Sequence, residues 1–264
     1  MKKRVLVTGL NSYVGNSFAS FCANDFEIDK VSLKNDGWRK LDFSKYDSIL
    51  HVAGIAHTSK DPSLKELYYK VNTDLTFDIA QKAKHDGVKQ FIFMSSIIIY
   101  GDSAPIGKTK VIDENSQPNP NDFYGDSKLQ AEKRLAELAG ENFKIAVIRP
   151  PMIYGEGSKG NYPKLVKLAK YAFIFPYIEN QRSVLHIGKL SQGLKDIVEN
   201  EFGGIFMPQD DRYFCTSEFI KEYRKSIGKK TYLTRAFNPF IKLLAIKIGF
   251  INKVFGSLIY KLNP

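Results

Sequence analysis

Three residues of this chain have the types and spacing for moving a proton to or from a carbonyl or hydroxyl oxygen. Tyr124 and Lys128 stand four apart at the start of a predicted helix, so both project from one face. An ammonium near a phenol stabilises the phenolate and lowers the tyrosine pKa from about 10 toward a range useful for acid–base work. Ser96 follows the apolar run Gln90-Phe91-Ile92-Phe93-Met94-Ser95, where its hydroxyl can reach the same oxygen. A Tyr-x-x-x-Lys spacing arises often by chance, and alone it reads as a structural pair.

A second motif upstream changes that reading. Thr8-Gly9-Leu10-Asn11-Ser12-Tyr13-Val14-Gly15 lies directly after a strand-like run and directly before a helix-like one. Gly9 suits a tight turn and Gly15 a close helix–strand approach, while the free N–H groups of the first helical turn suit a pyrophosphate. Ser12 replaces the middle glycine of this fingerprint. The expectation there is a strained or slightly withdrawn backbone, with the hydroxyl directed at phosphate. The segment closing the second predicted strand, Ser32-Leu33-Lys34-Asn35, has no acid for a ribose 2′-hydroxyl but offers Lys34 to a 2′-phosphate. NADP(H) is therefore favoured over NAD(H), unless Lys34 is simply one of many surface lysines.

The elements that must hold these groups alternate in type. Apolar runs at Arg4–Thr8, Lys30–Leu33, Ser48–Ala53, Gln90–Ser95 and Lys144–Ile148 read as strands. Helical stretches lie between them at about 14–23, 64–83 and 124–138, the pattern of βαβ units around a parallel sheet. The interval from Leu33 to Asp42 has little room for a helix. After Pro150-Pro151 the alternation breaks down. The expected architecture is α/β: a dinucleotide-binding domain over 1–155, receiving further elements from about 183–210, and a smaller substrate domain over 156–264.

Composition narrows the class. With 43% hydrophobic and 25% charged residues, the chain is globular in type, and no stretch approaches the roughly 20 apolar residues of a spanning helix. Met1-Lys2-Lys3-Arg4 runs straight into a strand without an apolar leader region, and Cys22 and Cys215 form no metal or disulfide pattern. A cytoplasmic protein is expected. His51, His57, His85 and His186 lack ligand spacing and read as structural or incidental, so no metal is expected. The formal charge of +11 fits nucleic acid, an anionic membrane surface or polyanionic small molecules. No dense basic run with interleaved aromatics is present, which argues against nucleic acid.

Taken in order, these motifs resemble the extended short-chain dehydrogenase/reductase, or NAD-dependent epimerase/dehydratase, family. The resemblance covers nearly the whole chain and implies a Rossmann-type sheet. Its glycine turn falls on Gly9 to Gly15, its adenine-contacting pair on Asp42-Phe43, and its His-x-Ala-Ala on His51-Val52-Ala53-Gly54. Asn72, Ser96 before Tyr100-Gly101, Tyr124 with Lys128, and Arg149-Pro150 through Tyr154-Gly155 follow in the family's order. The resemblance implies cofactor contacts from Asn11, Ser12, Tyr13, Val14, Val52, Ala53, Gly54, Asn72 and Pro150, besides the glycines and Lys34. It also implies that Asn161 and Arg182 hold the diphosphate of a nucleotide sugar.

Two departures narrow the implied activity. Ile97 and Ile98 stand where sugar 4,6-dehydratases of the family carry Asp-Glu, and neither can transfer a proton. Met152 stands where the family often has Asn. The Phe-Met-Ser-Ser, Arg-Pro-Pro-Met-Ile-Tyr-Gly and Gln-Arg-Ser runs are similar to capsule and O-antigen enzymes that reduce UDP-4-keto-6-deoxy-N-acetylhexosamines. A UDP-sugar 4-epimerase with retained NAD uses the same trio and stays open, as does a non-catalytic NADP-binding regulator. A homodimer is also left open. The apolar run from Phe240 to Ile251, broken by Lys242 and Lys247, has two readings. One is a helix packed on the substrate domain, favoured by the family's habit of closing that site with C-terminal helices. The other is an interfacial helix that binds an anionic membrane weakly.

Overall fold

The computed structural model describes residues 2–56 and 61–262, so His57 lies outside the described residues. The first part of the chain forms β1 (Arg4–Thr8), α1 (Tyr13–Phe21), β2 (Glu27–Val31), β3 (Ser48–His51), α2 (Lys65–Tyr69), α3 (Leu75–His85), β4 (Gln90–Met94) and β5 (Thr109–Ile112). Next come α4 (Phe123–Ala136), β6 (Lys144–Ile148), β7 (Met152–Tyr154), α5 (Asn161–Tyr171), β8 (Ile174–Pro176) and β9 (Val184–His186). The last elements are α6 (Ile187–Glu199), β10 (Gly204–Phe206), α7 (Thr216–Ser226), β11 (Tyr232–Thr234), α8 (Asn238–Lys247), α9 (Gly249–Phe255) and β12 (Ser257–Tyr260). Two compact units result: Met1–Gly101, Pro118–Pro151 and His186–Pro208 in one, and Asp102–Gln117, Met152–Leu185 and Gln209–Pro264 in the other.

The first unit is built on a six-stranded parallel sheet of order β10-β6-β4-β3-β1-β2. Its inner strands are apolar on both faces, as a parallel sheet covered by helices requires. Leu6, Ile49, Phe91, Phe93 and Phe143 fill one core cluster with Trp38. The strand expected over Lys30–Leu33 is displaced: β2 is Glu27–Val31 and ends where the Gly9 amide donates to the Val31 carbonyl at 2.8 Å. As the edge strand, β2 is largely polar, so no apolar run marks its start. The short interval after it holds only a 3₁₀ turn, Asp36–Lys40, which buries Trp38. The helix expected over 64–83 is interrupted by a wide π turn, Lys70–Asp74. That turn aims two buried polar residues at α4: Thr73 Oγ1 donates to the Ser127 carbonyl at 2.8 Å and Asn72 Nδ2 to Ser127 Oγ at 3.0 Å.

His51 is fully buried at the end of β3, as a structural histidine. Its ring nitrogens lie 3.0 Å from the hydroxyls of Thr8 and Thr76, and its ring stacks on Phe91 at 5.5 Å. Burial pushes its pKa from 6.5 down to about 3, helped by the nearby Lys128 charge, so the ring is neutral in the folded protein.

In the second unit, β12 pairs in parallel with β5, and β11 with β8. The C-terminal run packs by one side only. Ile241, Ile251 and Val254 join Phe175, Ile220 and Phe255 in a core cluster, and every residue of β12 is buried. Gly256 is wedged so tightly that a Cβ would lie 2.5 Å from the Ala104 carbonyl oxygen. Ser183 Oγ and Ser257 Oγ accept the amides of Tyr260 (2.8 Å) and Gln181 (3.0 Å).

Each large apolar side chain buried in that tail contributes about 1.5–3 kcal/mol, so Phe255, Leu258, Ile259 and Tyr260 together rival a domain's net stability of about 5–15 kcal/mol. Deleting 237–264 is expected to abolish cooperative unfolding of the second unit, read by near-ultraviolet circular dichroism; a sharp transition of full amplitude would refute this. A separate expectation follows from His51. Its folded pKa is depressed, so its contribution is complete above pH 6.5 and is lost progressively as the pH falls toward 3. The stability gap between wild type and His51→Gln should therefore shrink across that window in denaturant titrations. Parallel curves would show that His51 is not buried in neutral form.

Candidate active site

The glycine turn has the geometry of a phosphate cradle. Gly9 adopts φ +90°, open to glycine and strained for other residues, and a Cβ there would sit 3.4 Å from Ala53 Cα. At Gly15 a Cβ would come within 2.8 Å of Val7 Cγ1 and 3.0 Å of Val52 Cγ2, so glycine is what lets α1 lie on β1 and β3. The strain expected at Ser12 is absent. Ser12 has φ −69° and ψ 129°, ordinary extended backbone, and its Oγ accepts the Gly15 amide at 3.2 Å. It is the N-cap of α1, a role that replaces glycine without strain. Asn11 is exposed, and Tyr13 and Val14 form the first turn of α1. A turn that requires glycine at both ends, by backbone conformation at Gly9 and by close packing at Gly15, and that opens on the positive end of a helix, fits the pyrophosphate of a dinucleotide.

The remaining cofactor-side residues divide. Lys34 is exposed just past β2, its amide donating to Ser32 Oγ at 3.3 Å. Asp42 is exposed and accepts from the Ser44 amide and hydroxyl at 2.9 and 2.7 Å. Phe43, by contrast, is fully buried in the core and its amide donates to Asp86 Oδ2 at 3.2 Å, so its ring serves packing instead of an adenine. Asn72 is likewise corrected. Both its N–H groups are spent, on the Ile55 carbonyl and Ser127 Oγ at 3.0 Å each, and its Oδ1 accepts the Ile55 amide at 2.8 Å. It shapes the loop after β3 and has no donor left for a cofactor. Gly54 in that loop leaves space for Lys128, whose Nζ would be 3.2 Å from a Cβ there. The Pro150 carbonyl accepts the Ile97 amide at 3.0 Å, anchoring the turn that follows Ser96.

The trio assembles at the end of β4. Ser96 caps the 3₁₀ turn Ile97–Tyr100, its Oγ accepting the Ile98 amide at 3.3 Å. Tyr124 lies in the first turn of α4, which Asp122 caps through the Gly125 amide at 2.8 Å. Gly125 was not singled out from sequence. A Cβ on it would be 2.9 Å from the Ile98 carbonyl oxygen, so this glycine draws Tyr124 up to the Ser96 turn. Burial pushes the Tyr124 phenol up to about 12, while a hydrogen bond from Ser96 pulls the other way. Lys128 is not bonded to the phenol. Its Nζ donates to the Met94 carbonyl at 2.8 Å and sits 4.6 Å from the Phe93 ring centre, held by the strand end instead. Burial lowers its pKa to about 8, against the opposing charge of Glu132.

Glu132 is the functional residue that the motif reading missed, although it continues the four-residue spacing of Tyr124 and Lys128. It is buried and forms a 2.6 Å ion pair with Arg149, accepts a hydrogen bond from Ser95 Oγ, and so ties α4 to β4 and β6. Arg149 Nη1 also donates to Tyr100 Oη at 2.7 Å. A buried pair of this kind is favourable only with such complete hydrogen bonding.

The two expected substrate residues belong to the second unit, whereas the trio belongs to the first. Asn161 is exposed at the start of α5, after Gly160 at φ +87°. The Arg182 backbone is bridged to Phe214, and its Nη1 donates to the Lys253 carbonyl. Among the described residues no group of His, Cys, Asp and Glu could hold a metal.

The chain is similar to known proteins. The profile of the NAD dependent epimerase/dehydratase family matches residues 5–195. A UDP-glucose 4-epimerase of Vibrio cholerae is 28% identical, over 88% of this chain and 78% of its own length. An N-acetyl-α-D-glucosaminyl-diphospho-ditrans,octacis-undecaprenol 4-epimerase of Escherichia coli O157:H7 is 27% identical, over 87% of this chain and 74% of its own. Among solved structures, a dTDP-4-dehydrorhamnose reductase of Bacillus anthracis in complex with NADP superposes with a TM-score of 0.69 at 19% identity. That match covers 88% of this chain and 83% of the reductase.

Proposed function

Because the chain belongs to the NAD-dependent epimerase/dehydratase family, an NAD(P)-dependent class acting on nucleotide sugars, we propose a specific reaction for it: NADPH-dependent reduction of the 4-keto group of a UDP-4-keto-6-deoxy-N-acetylhexosamine. The product is of the UDP-N-acetylfucosamine or UDP-N-acetylquinovosamine type, made in the cytoplasm for a surface polysaccharide. The observation that carries the reductive reading is Lys34, exposed beyond β2 where an acid would select NAD(H).

The Gly9–Gly15 turn and the start of α1 would hold the pyrophosphate, and Lys34 the 2′-phosphate. When bound, the nicotinamide supplies hydride to the C4 carbon. Tyr124, with a pKa near 12, is protonated at neutral pH and donates its proton to the C4 oxygen. Ser96 hydrogen-bonds the same oxygen and supports the phenolate left behind. Lys128, with a pKa near 8, is largely charged at neutral pH and stabilises that phenolate once released from the Met94 carbonyl. Arg182 and the N-terminus of α5 at Asn161 take the diphosphate, the guanidinium in a bidentate pairing. Ile97 and Ile98 leave no acid or base for eliminating water.

A second reading has specific support, since both sequence relatives above are named 4-epimerases. In that reaction Tyr124 removes the hydroxyl proton and later returns it, and the cofactor stays bound as NAD. Membership of an enzyme family and the complete trio remove the support for a non-catalytic regulator.

Two measurements test the proposal. Purified protein should bind NADPH more tightly than NADH and consume it stoichiometrically with a 4-keto sugar nucleotide. Lys34→Glu should then weaken NADPH selectively, by roughly 10-fold or more. Tightly retained NAD with redox-neutral interconversion at C4 would establish the epimerase instead. Tyr124→Phe should lower turnover by about 100-fold or more while NADPH binding is kept. Retention of about a tenth or more of the wild-type rate would remove Tyr124 as the acid.

A further inference from the structure

Helix α8 presents apolar side chains on two sides. Its inner side is accounted for by Ile241, packed in the second unit's core, and by the buried Ala245. On its outer side Phe240, Leu243 and Ile246 recur at every third position and are 62, 65 and 80% exposed. Such spacing aligns them on one face of a helix. By helical spacing Lys242 falls beside Ile246 at one border of that face and Lys247 falls between Phe240 and Leu243; both are exposed, and Phe237 and Ile248 extend the apolar exposure beyond each end. Burying three such side chains in a non-aqueous phase is favourable, and nothing within the described chain does so.

The charge distribution identifies the phase. From Tyr223 to Pro264 the sequence has nine Lys and Arg and no Asp or Glu, so nearly all of the formal excess of +11 lies in this one segment. A second copy of the chain would bring its own Lys242 and Lys247 against those of the first, which disfavours self-association through this face. The exposed face carries aliphatic and aromatic carbon, with one lysine at its border and one between its apolar side chains. Lysine stems of that kind lie along an apolar surface while their charged ends reach outward to phosphate. Ten residues at 1.5 Å each make α8 about 15 Å long, enough to lie in an interface and far too short to cross one. No described helix is long and apolar enough to cross a membrane.

We propose that the outer face of α8 docks the protein on an anionic phospholipid surface, with Phe240, Leu243 and Ile246 entering the headgroup–acyl boundary and Lys242 and Lys247 pairing with lipid phosphates. The docking does not rest on the reaction assigned above. It also reconciles the two sides of the tail, one packed against the fold and the other available to lipid.

The test is flotation of the full chain with vesicles of phosphatidylcholine alone or mixed with phosphatidylglycerol, at low and high salt. Binding to the mixed vesicles is expected to be roughly tenfold or more stronger than to phosphatidylcholine, and to weaken with salt. Leu243→Glu with Ile246→Glu, both on the exposed face, should abolish it without changing the thermal transition or NADPH affinity. Should that variant misfold, Lys242→Gln with Lys247→Gln provides a second reading, with an expected loss of about tenfold. The proposal is overturned by any of three results: no binding to the anionic vesicles, undiminished binding of the folded variants, or concentration-dependent self-association that the α8 variants remove while wild type ignores lipid. Binding of an acidic protein through α8 in place of vesicles would overturn it equally.

Discussion

The ion pair between Glu132 and Arg149 fixes the relation between one helix and two strand ends, and the reactive groups take their positions from that relation. Glu132 lies on α4, Arg149 just beyond β6, and Ser95, which also bonds Glu132, just beyond β4. With α4 held in that register, Tyr124 meets the Ser96 turn and Lys128 reaches the Met94 carbonyl. Either charge left alone at this depth would be strongly destabilising, so the pair acts as an all-or-none fastener. Gly125 completes it by removing the one side chain that would push α4 off the turn.

The glycine turn and the loop after β3 obey a different constraint, set by absence of volume. Gly9, Gly15 and Gly54 each stand where a side chain would strike a neighbour or strain the backbone. Polar side chains behind that surface, Asn72 and Thr73 on the π turn and His51 on β3, hold the loops and helices in place. Their hydrogen bonds are satisfied within the protein, which leaves the exposed backbone N–H groups of α1 as the donors for an anion.

Much of this was legible from residue order. The inner strands announced themselves as apolar runs because a doubly covered parallel sheet leaves them no polar face. Tyr124 with Lys128 and the glycine turn are readable because their spacing lies within one short segment, and Ser96 because it closes an apolar strand. The misreadings came where tertiary contacts decide. An edge strand such as β2 carries Glu27, Asp29 and Lys30 and gives no apolar signal. Asn72 has the same side chain whether it faces a ligand or braces a loop, and only its partners distinguish the two. Ser12 looked like a strained substitute for glycine, yet as a helix cap it needs no unusual backbone. Lys128 was expected beside the phenol, and the carbonyl at the end of β4 holds it instead.

The parallel pairing of β12 with β5 has a consequence for synthesis of the chain. Thr109 is matched to Ser257 and Ile112 to Tyr260, partners about 150 residues apart. During translation, β5 emerges early and must wait with an open edge until β12 leaves the ribosome. The first unit's sheet, by contrast, has all but its final strand available once β6 has emerged. Synthesis from the N-terminus therefore favours a nascent chain whose first unit is organised while the second still lacks its pairing strand for β5. Such an intermediate exposes apolar surface and an unpaired edge, the features that chaperones bind.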